Sequence, residues 1–295
     1  MTRRRHPYKL DKEPLGRGGF GVVYRAQHRE TDEEVALKKA LPGTAAEARI
    51  RREIEEQQSF LHRHVMPILD WDRLGHRWFT MPLADVTVAR LMDQNAMTDA
   101  ILLEVLTAAA QGLQYAHNLG RIHRDVTPSN LLRITTWPAG RRWVVGDWGL
   151  VQKPEGQTSL PLTATGQPLG TREFGPPEAR TAPSGVGAEF DVYYLGAVAS
   201  WVLTGVMPFE GRVELPTDEP WRRFVAETTR RNPTHRLGSM IPVIAMLFDI
   251  RSEQQRATAE AERARAQATD PCPSCGHDAP GPRCSFCGRF VVDYN

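Results

Sequence analysis

The chain has 295 residues, enough for one two-lobed domain and a small extra module. Its 41% hydrophobic and 24% charged residues are ordinary for a soluble globular protein, and a net charge of +2 argues against nucleic-acid binding. No apolar run is long enough to cross a bilayer, so a membrane role is not expected and the cytoplasm is the expected address.

Arg3, Arg4 and Arg5 read as a solvated tail, because no apolar segment follows them as a signal peptide requires. Next comes the glycine-rich turn Gly16-Arg17-Gly18-Gly19-Phe20-Gly21. Glycines there let backbone N–H groups approach phosphate oxygens where a Cβ would clash. A dinucleotide-binding turn would enter a helix at once, but Val22, Val23 and Tyr24 continue as strand. Val35-Ala36-Leu37-Lys38 is a further strand. The chain has only 5 Lys against 32 Arg, so Lys38 and Lys39 are not drawn from a lysine-rich background. An amphipathic helix with Glu53 near its middle follows, Glu55 and Glu56 being rivals for the same role. Trp78 to Leu83 is strand-like, and periodicity gives a buried helix from Leu102 to Leu119, stopped by Gly120.

His123-Arg124-Asp125-Val126-Thr127-Pro128-Ser129-Asn130 and Asp147-Trp148-Gly149 then flank an expected β-hairpin. Two Asp and an Asn so arranged are what a site needs to hold Mg²⁺ and orient an acceptor hydroxyl. With the glycine-rich turn and a Lys and Glu upstream, in this order, the chain resembles the protein kinase family from about Tyr8 to about Ile250.

The resemblance implies an α+β, bilobal protein kinase fold: a β-rich N-lobe at 1–83 and a mainly helical C-lobe at 84–250. ATP is then bound by Gly16, Gly18 and Gly21, by Lys38 paired with Glu53, and by Val23, Ala36 and Leu132 around the purine. Met81 is the implied gatekeeper, and Pro82, Leu83 and Ala84 present backbone to adenine. Asp125 is the implied base, Asn130 and Asp147 the Mg²⁺ ligands, and Thr171 a brace for Asp125. Gly170 to Glu178 resembles the end of a serine/threonine kinase activation segment, with Glu178 paired to Arg236 and Asp191 bracing the catalytic loop. Arg124 resembles the arginine of kinases switched by loop phosphorylation, here at Thr163 or Thr165.

Two residues depart from the family. Trp148 replaces the usual Phe but keeps a large apolar wedge. Thr127 stands where serine/threonine kinases place a lysine; losing one transition-state donor typically costs about 10²–10³ in rate.

From Arg251 to Thr269 no large apolar residue appears, so 251–269 reads as a polar helical linker. All 4 cysteines lie beyond it, Cys272, Cys275, Cys284 and Cys287, in two C-x₂-C knuckles each followed by glycine. Four thiolates at this spacing can close a tetrahedral Zn²⁺ site, and so small a segment has no core to fold without one. Each knuckle resembles a zinc-ribbon turn, giving a ribbon at 270–295. Disulfides or a redox dithiol are the alternatives.

The expected protein is therefore a bacterial-type serine/threonine protein kinase using ATP, Mg²⁺ and Zn²⁺, the bacterial type resting on the brief insert from Phe209 to Arg230. Protein substrates are expected as partners, and the ribbon should bind a partner or the kinase domain itself. The alternatives are a nucleotide-binding pseudokinase scaffold and a nucleic-acid-associated regulator.

Overall fold

The computed structural model describes residues 6–135, 140–151, 173–180 and 187–267, with 274–277, 283 and 286–289 of the tail. The chain divides into a large unit, Met1–Leu247, and a small one, Phe248–Asn295.

The large unit begins with β1 (Tyr8–Arg17), β2 (Gly21–His28), β3 (Glu34–Ala40), β4 (Asp70–Trp71) and β5 (Trp78–Met81), an antiparallel sheet in the order β1-β2-β3-β5-β4. Residues opposite one another in such a sheet share a face. Val23 lies opposite Lys38, Lys38 opposite Phe79, and Ala36 opposite Met81, so the register puts Val23, Ala36, Lys38 and Met81 on one face. The other face carries Tyr8, Ala26, Val35 and Leu37, closed over by Leu10, Leu69 and Trp78.

Between β3 and β4 runs α1 (Thr44–Gln57). Its buried positions are Ala46, Ile50, Glu53, Ile54, Glu56 and Gln57, mostly at the three-and-four spacing of a helical stripe. Ile50 and Ile54 pack on Phe79 of β5, which turns Glu53 of the same stripe toward Lys38.

A second antiparallel sheet, β6 (Ala84–Thr87), β7 (Leu131–Ile134) and β8 (Arg142–Val145), forms the floor of the site. The expected hairpin is β7–β8, with Leu131 opposite Val145. The helices of this half are α2 (Val88–Asp93), α3 (Asp99–Asn118), α4 (Glu189–Thr204), α5 (Trp221–Thr228) and α6 (Met240–Gln267). α3 starts at Thr98, whose hydroxyl accepts the Ile101 N–H at 3.2 Å. It approaches the loop before β4 so closely that a Cβ on Gly112 would lie 2.7 Å from the His64 carbonyl oxygen. α4 is buried without a break from Phe190 to Ser200, as a central helix surrounded by packing must be.

The last helix of this half and the stretch read as a polar helical linker are one continuous element. α6 continues from its buried residues Met240, Val243 and Leu247 into the polar stretch, because Ala, Glu, Gln and Arg propagate a helix without a core to pack on. Among the described residues no helix is long and apolar enough to cross a membrane.

Candidate active site

The centre of the site is Lys38. Its Nζ donates to Glu53 Oε1 and Oε2 at 2.7 Å each and to Asp147 Oδ1 at 2.9 Å, tying β3, α1 and the segment after β8 together. Glu55 is exposed and Glu56 receives Arg121 Nε at 2.6 Å, so the two rivals are turned elsewhere. Burial pushes the Glu53 carboxyl up to about 7 against the pull of Lys38. Burial also opposes the charges of Lys38 and Asp147, but their attraction outweighs it: Lys38 is raised and Asp147 is held at about 2.

The loop before β7 carries the next group of residues. Asn130 Nδ2 donates to Asp125 O at 2.8 Å and to Asp125 Oδ2 at 3.3 Å. The Asn130 carbonyl oxygen accepts Gly146 N–H at 2.9 Å, which fixes this loop beside Asp147. Arg124 and Asp147 both adopt positive φ, 72° and 56°, a conformation that costs non-glycine residues energy. Asp191 of α4 holds the first of these: its two oxygens accept the N–H groups of His123 and Arg124 at 2.9 and 2.8 Å, and Oδ2 also meets His117 Nε2 at 2.7 Å. Burial opposes its charge, but the His117 contact leads in holding the carboxyl below its usual range.

Trp148 is fully buried. Its Nε1 donates to Val145 O at 3.0 Å, and its ring meets His123 at 4.5 Å and Phe60 at 4.7 Å, both edge to face. The apolar wedge expected at this position is therefore present.

Above the cleft, Gly18 N–H donates to Gly21 O at 2.9 Å, closing the turn between β1 and β2. A Cβ on Gly21 would press on Lys39 O at 3.0 Å, so packing demands that glycine. No neighbour lies within 4 Å of a Cβ on Gly16, and only Gly21 O, at 3.8 Å, near one on Gly18. Their bare backbone suits an approaching ligand rather than an internal contact. Met81 and Leu132 pack on one cluster of Met66, Ile134 and Val144, which brings these two adenine-site candidates together, and Leu83 follows in the link from β5 to β6.

Downstream, Arg236 Nη1 and Nη2 donate to the Glu178 carboxylate at 2.6 and 3.2 Å, the pairing expected from sequence. Thr163, Thr165, Thr171, Cys272 and Cys284 lie outside the described residues. In the small unit Cys275 and Cys287 occupy equivalent turns: Gly276 and Gly288, which follow them, both have φ of 72°. His277 stacks on Phe286 at 3.8 Å, so the two turns are adjacent. Among the described residues no group of three or more His, Cys, Asp or Glu gathers as a metal site.

Asn130 and Asp147 offer oxygen ligands, and Mg²⁺ usually takes one or two protein ligands with phosphates and water. Lys38 takes only Asp147 Oδ1 and Asn130 donates through Nδ2, so neither contact uses Asp147 Oδ2 or Asn130 Oδ1, the oxygens a metal would take. Arg49, half-buried one turn before Glu53, was not marked by the sequence motifs; its i, i+4 spacing to Glu53 was the signal that could have found it.

Comparison with known proteins agrees with this geometry. The model of the protein kinase domain family matches residues 9–264. The chain is 34% identical over 208 residues to serine/threonine-protein kinase PknF of Mycobacterium tuberculosis, covering 66% of this chain and 42% of the relative. It is 39% identical over 209 residues to DNA damage-responsive serine/threonine-protein kinase RqkA of Deinococcus radiodurans, covering 67% and 30%. With serine/threonine-protein kinases drp72 of Corynebacterium efficiens it shares 27% identity over 288 residues, covering 88% and 54%. The chain thus spans about half the length, or less, of these relatives. With a matching domain model over most of its length and the Lys38–Glu53–Asp147 cluster in place, the chain belongs to the protein kinase family.

Proposed function

We propose that this chain is a bacterial-type serine/threonine protein kinase that transfers the γ-phosphoryl group of ATP to protein hydroxyls. The observation that carries the reading is Lys38 held by both Glu53 and Asp147, beside an Asp125–Asn130 pair. Lys38 is positioned for the α- and β-phosphates, with Gly16, Gly18 and Gly21 above them. Val23, Ala36, Met81, Leu83 and Leu132 enclose the adenine. Asp125 orients the acceptor hydroxyl and receives its proton, while Asn130 and Asp147 would hold Mg²⁺. Such a metal would supply positive charge against the phosphates of the nucleotide. Thr171 would brace Asp125, and phosphate on Thr163 or Thr165 would pair with Arg124.

The tail is read as a zinc ribbon closed by Cys272, Cys275, Cys284 and Cys287. Two equivalent turns, each with a left-handed glycine after its second cysteine, support that reading. The ribbon would bind a partner or the kinase domain.

The test is autophosphorylation: the full chain is incubated with Mg²⁺ and ATP and followed by intact mass beside Asp147→Asn. Phosphate gained by the wild type alone is the expected result, and peptide mapping would then show whether Thr163 or Thr165 carries it. Nucleotide binding without any phosphate gain would favour a pseudokinase scaffold, the reading that Thr127 supports.

A further inference from the structure

Thr127 leaves the catalytic loop without the cation that family members place there, and a guanidinium reaches the same cleft from α1. The Arg49 guanidinium carbon lies 4.1 Å from the ring centroid of Phe20, at the tip of the glycine-rich turn. A Cβ built on Gly149 would sit 3.3 Å from Arg49 Nε, 3.4 Å from Asp147 Oδ1 and 3.4 Å from Glu53 Oε2. The guanidinium and two carboxylates thus surround a single point at the mouth of the Lys38 cluster. Gly149 leaves room for this arrangement, since a Cβ there would make Arg49 give way by a few tenths of an ångström. Arg49 forms neither hydrogen bond nor ion pair with the described residues, so its N–H donors remain available for a ligand. Burial lowers its basicity, and the fields of Asp147, Glu53 and Asp125 hold the charge in place.

We propose that Arg49 supplies to the transferring phosphoryl group the positive charge that Thr127 does not. The proposal rests on the kinase reading above. In the transfer the acceptor hydroxyl oxygen bonds to the γ-phosphorus as its bond to the β–γ bridging oxygen breaks. The hydroxyl proton passes to Asp125, and ADP leaves with the electron pair. Arg49 exchanges no proton; it stabilises charge on the equatorial oxygens.

The experiment compares autophosphorylation kinetics of the full-length wild type, Arg49→Gln, Arg49→Lys, Thr127→Lys and the Arg49→Gln/Thr127→Lys double variant, with ATP varied. Arg49→Gln should lower kcat by about 10²–10³, with KM for ATP changed only a few-fold, about threefold at most. Arg49→Lys should keep most of the rate. Thr127→Lys should raise the Arg49→Gln rate at least about tenfold and the wild-type rate far less, because the two cations serve one charge. Rescue also shows that Arg49→Gln is folded. Equal gains from Thr127→Lys in both backgrounds, or an Arg49→Gln variant as fast as wild type, would overturn the proposal. If wild type and Thr127→Lys both bind nucleotide yet gain no phosphate, the kinase reading itself falls, and this inference with it.

Discussion

Asp191 Oδ1 accepts the backbone N–H of Arg124 at 2.8 Å, at a residue whose φ is 72°. The carboxylate is fully buried, and it fixes a left-handed backbone immediately before Asp125. Asp191→Ala removes two hydrogen bonds to this loop, together with the contact to His117 of α3. Each buried donor left unsatisfied costs about 1–3 kcal/mol, so the variant should melt well below wild type and lose autophosphorylation. The folded-state pKa of Asp191 is depressed, so its contribution to stability is complete above the unfolded value and lost as pH falls through the folded one. Wild type should therefore lose stability more steeply than Asp191→Asn below about pH 4, as measured by urea unfolding across that range.

The Lys38–Glu53 pair makes an opposite prediction for pH. Lys38→Met leaves Glu53 buried without its cation, and breaking such a pair costs about 3–5 kcal/mol. Burial already raises the Glu53 carboxyl, and losing Lys38 raises it further. A carboxyl raised on folding binds extra protons in the native state, so it favours the native state at low pH and loses that contribution as pH rises through the folded value. Lys38→Met should therefore be closer to wild type in Tm at pH 6 than at pH 8. A Tm gap that narrows from pH 6 to pH 8 would show that Glu53 escapes to solvent in the variant, because only the wild type would then lose this contribution over that range.

Arg236 and Glu178 form another ion pair at a buried guanidinium, with Arg236 also donating to the Arg230 and Glu189 carbonyl oxygens at 2.9 and 3.0 Å. A lysine cannot reproduce this fork of contacts. Arg236→Lys should be nearly as destabilising as Arg236→Ala, and a double-mutant cycle with Glu178→Gln should show coupling above about 1 kcal/mol in chemical unfolding.

Much of the site was legible because its residues sit in short motifs whose order is itself informative. Lys38 and Glu53 lie on different elements, yet the strand run before Lys38 and the helical stripe through Glu53 placed both. The direct bond from Lys38 to Asp147 was not legible, since 109 residues separate them and only the packed fold closes that gap. Arg49 was hidden for another reason: in a chain with 32 Arg its only mark was the i, i+4 spacing to Glu53, a spacing that solvated helix pairs share. The helix through 251–267 was legible from its Ala, Glu, Gln and Arg content, which favours a helix even where no apolar stripe marks one.

Trp148 tests how much of the wedge is shape and how much is its indole N–H. Trp148→Phe keeps the edge contacts with His123 and Phe60 and removes one of two donors to the Val145 carbonyl, which still accepts the Met66 N–H at 2.9 Å, so a loss of no more than about 1 kcal/mol is expected and autophosphorylation should persist. Trp148→Ala opens a cavity against both rings and should cost about 3–5 kcal/mol. Equal losses in the two variants, measured by urea unfolding, would mean that the hydrogen bond rather than the wedge positions Asp147.

The tail offers a test independent of catalysis. If Cys272, Cys275, Cys284 and Cys287 close a single site, elemental analysis of the purified chain should give one zinc per molecule. The repeated left-handed glycines, Gly276 and Gly288, allow each turn to curl its backbone toward a metal. Cys275→Ser should lower zinc content far below one, because three thiolates and a hydroxyl form a poorer site. A chelator should release zinc and make residues 270–295 sensitive to protease, since metal binding supplies the folding energy that so short a segment lacks. Full zinc retention in Cys275→Ser, or a chain purified under reducing conditions without metal and still protease-resistant, would remove the ribbon.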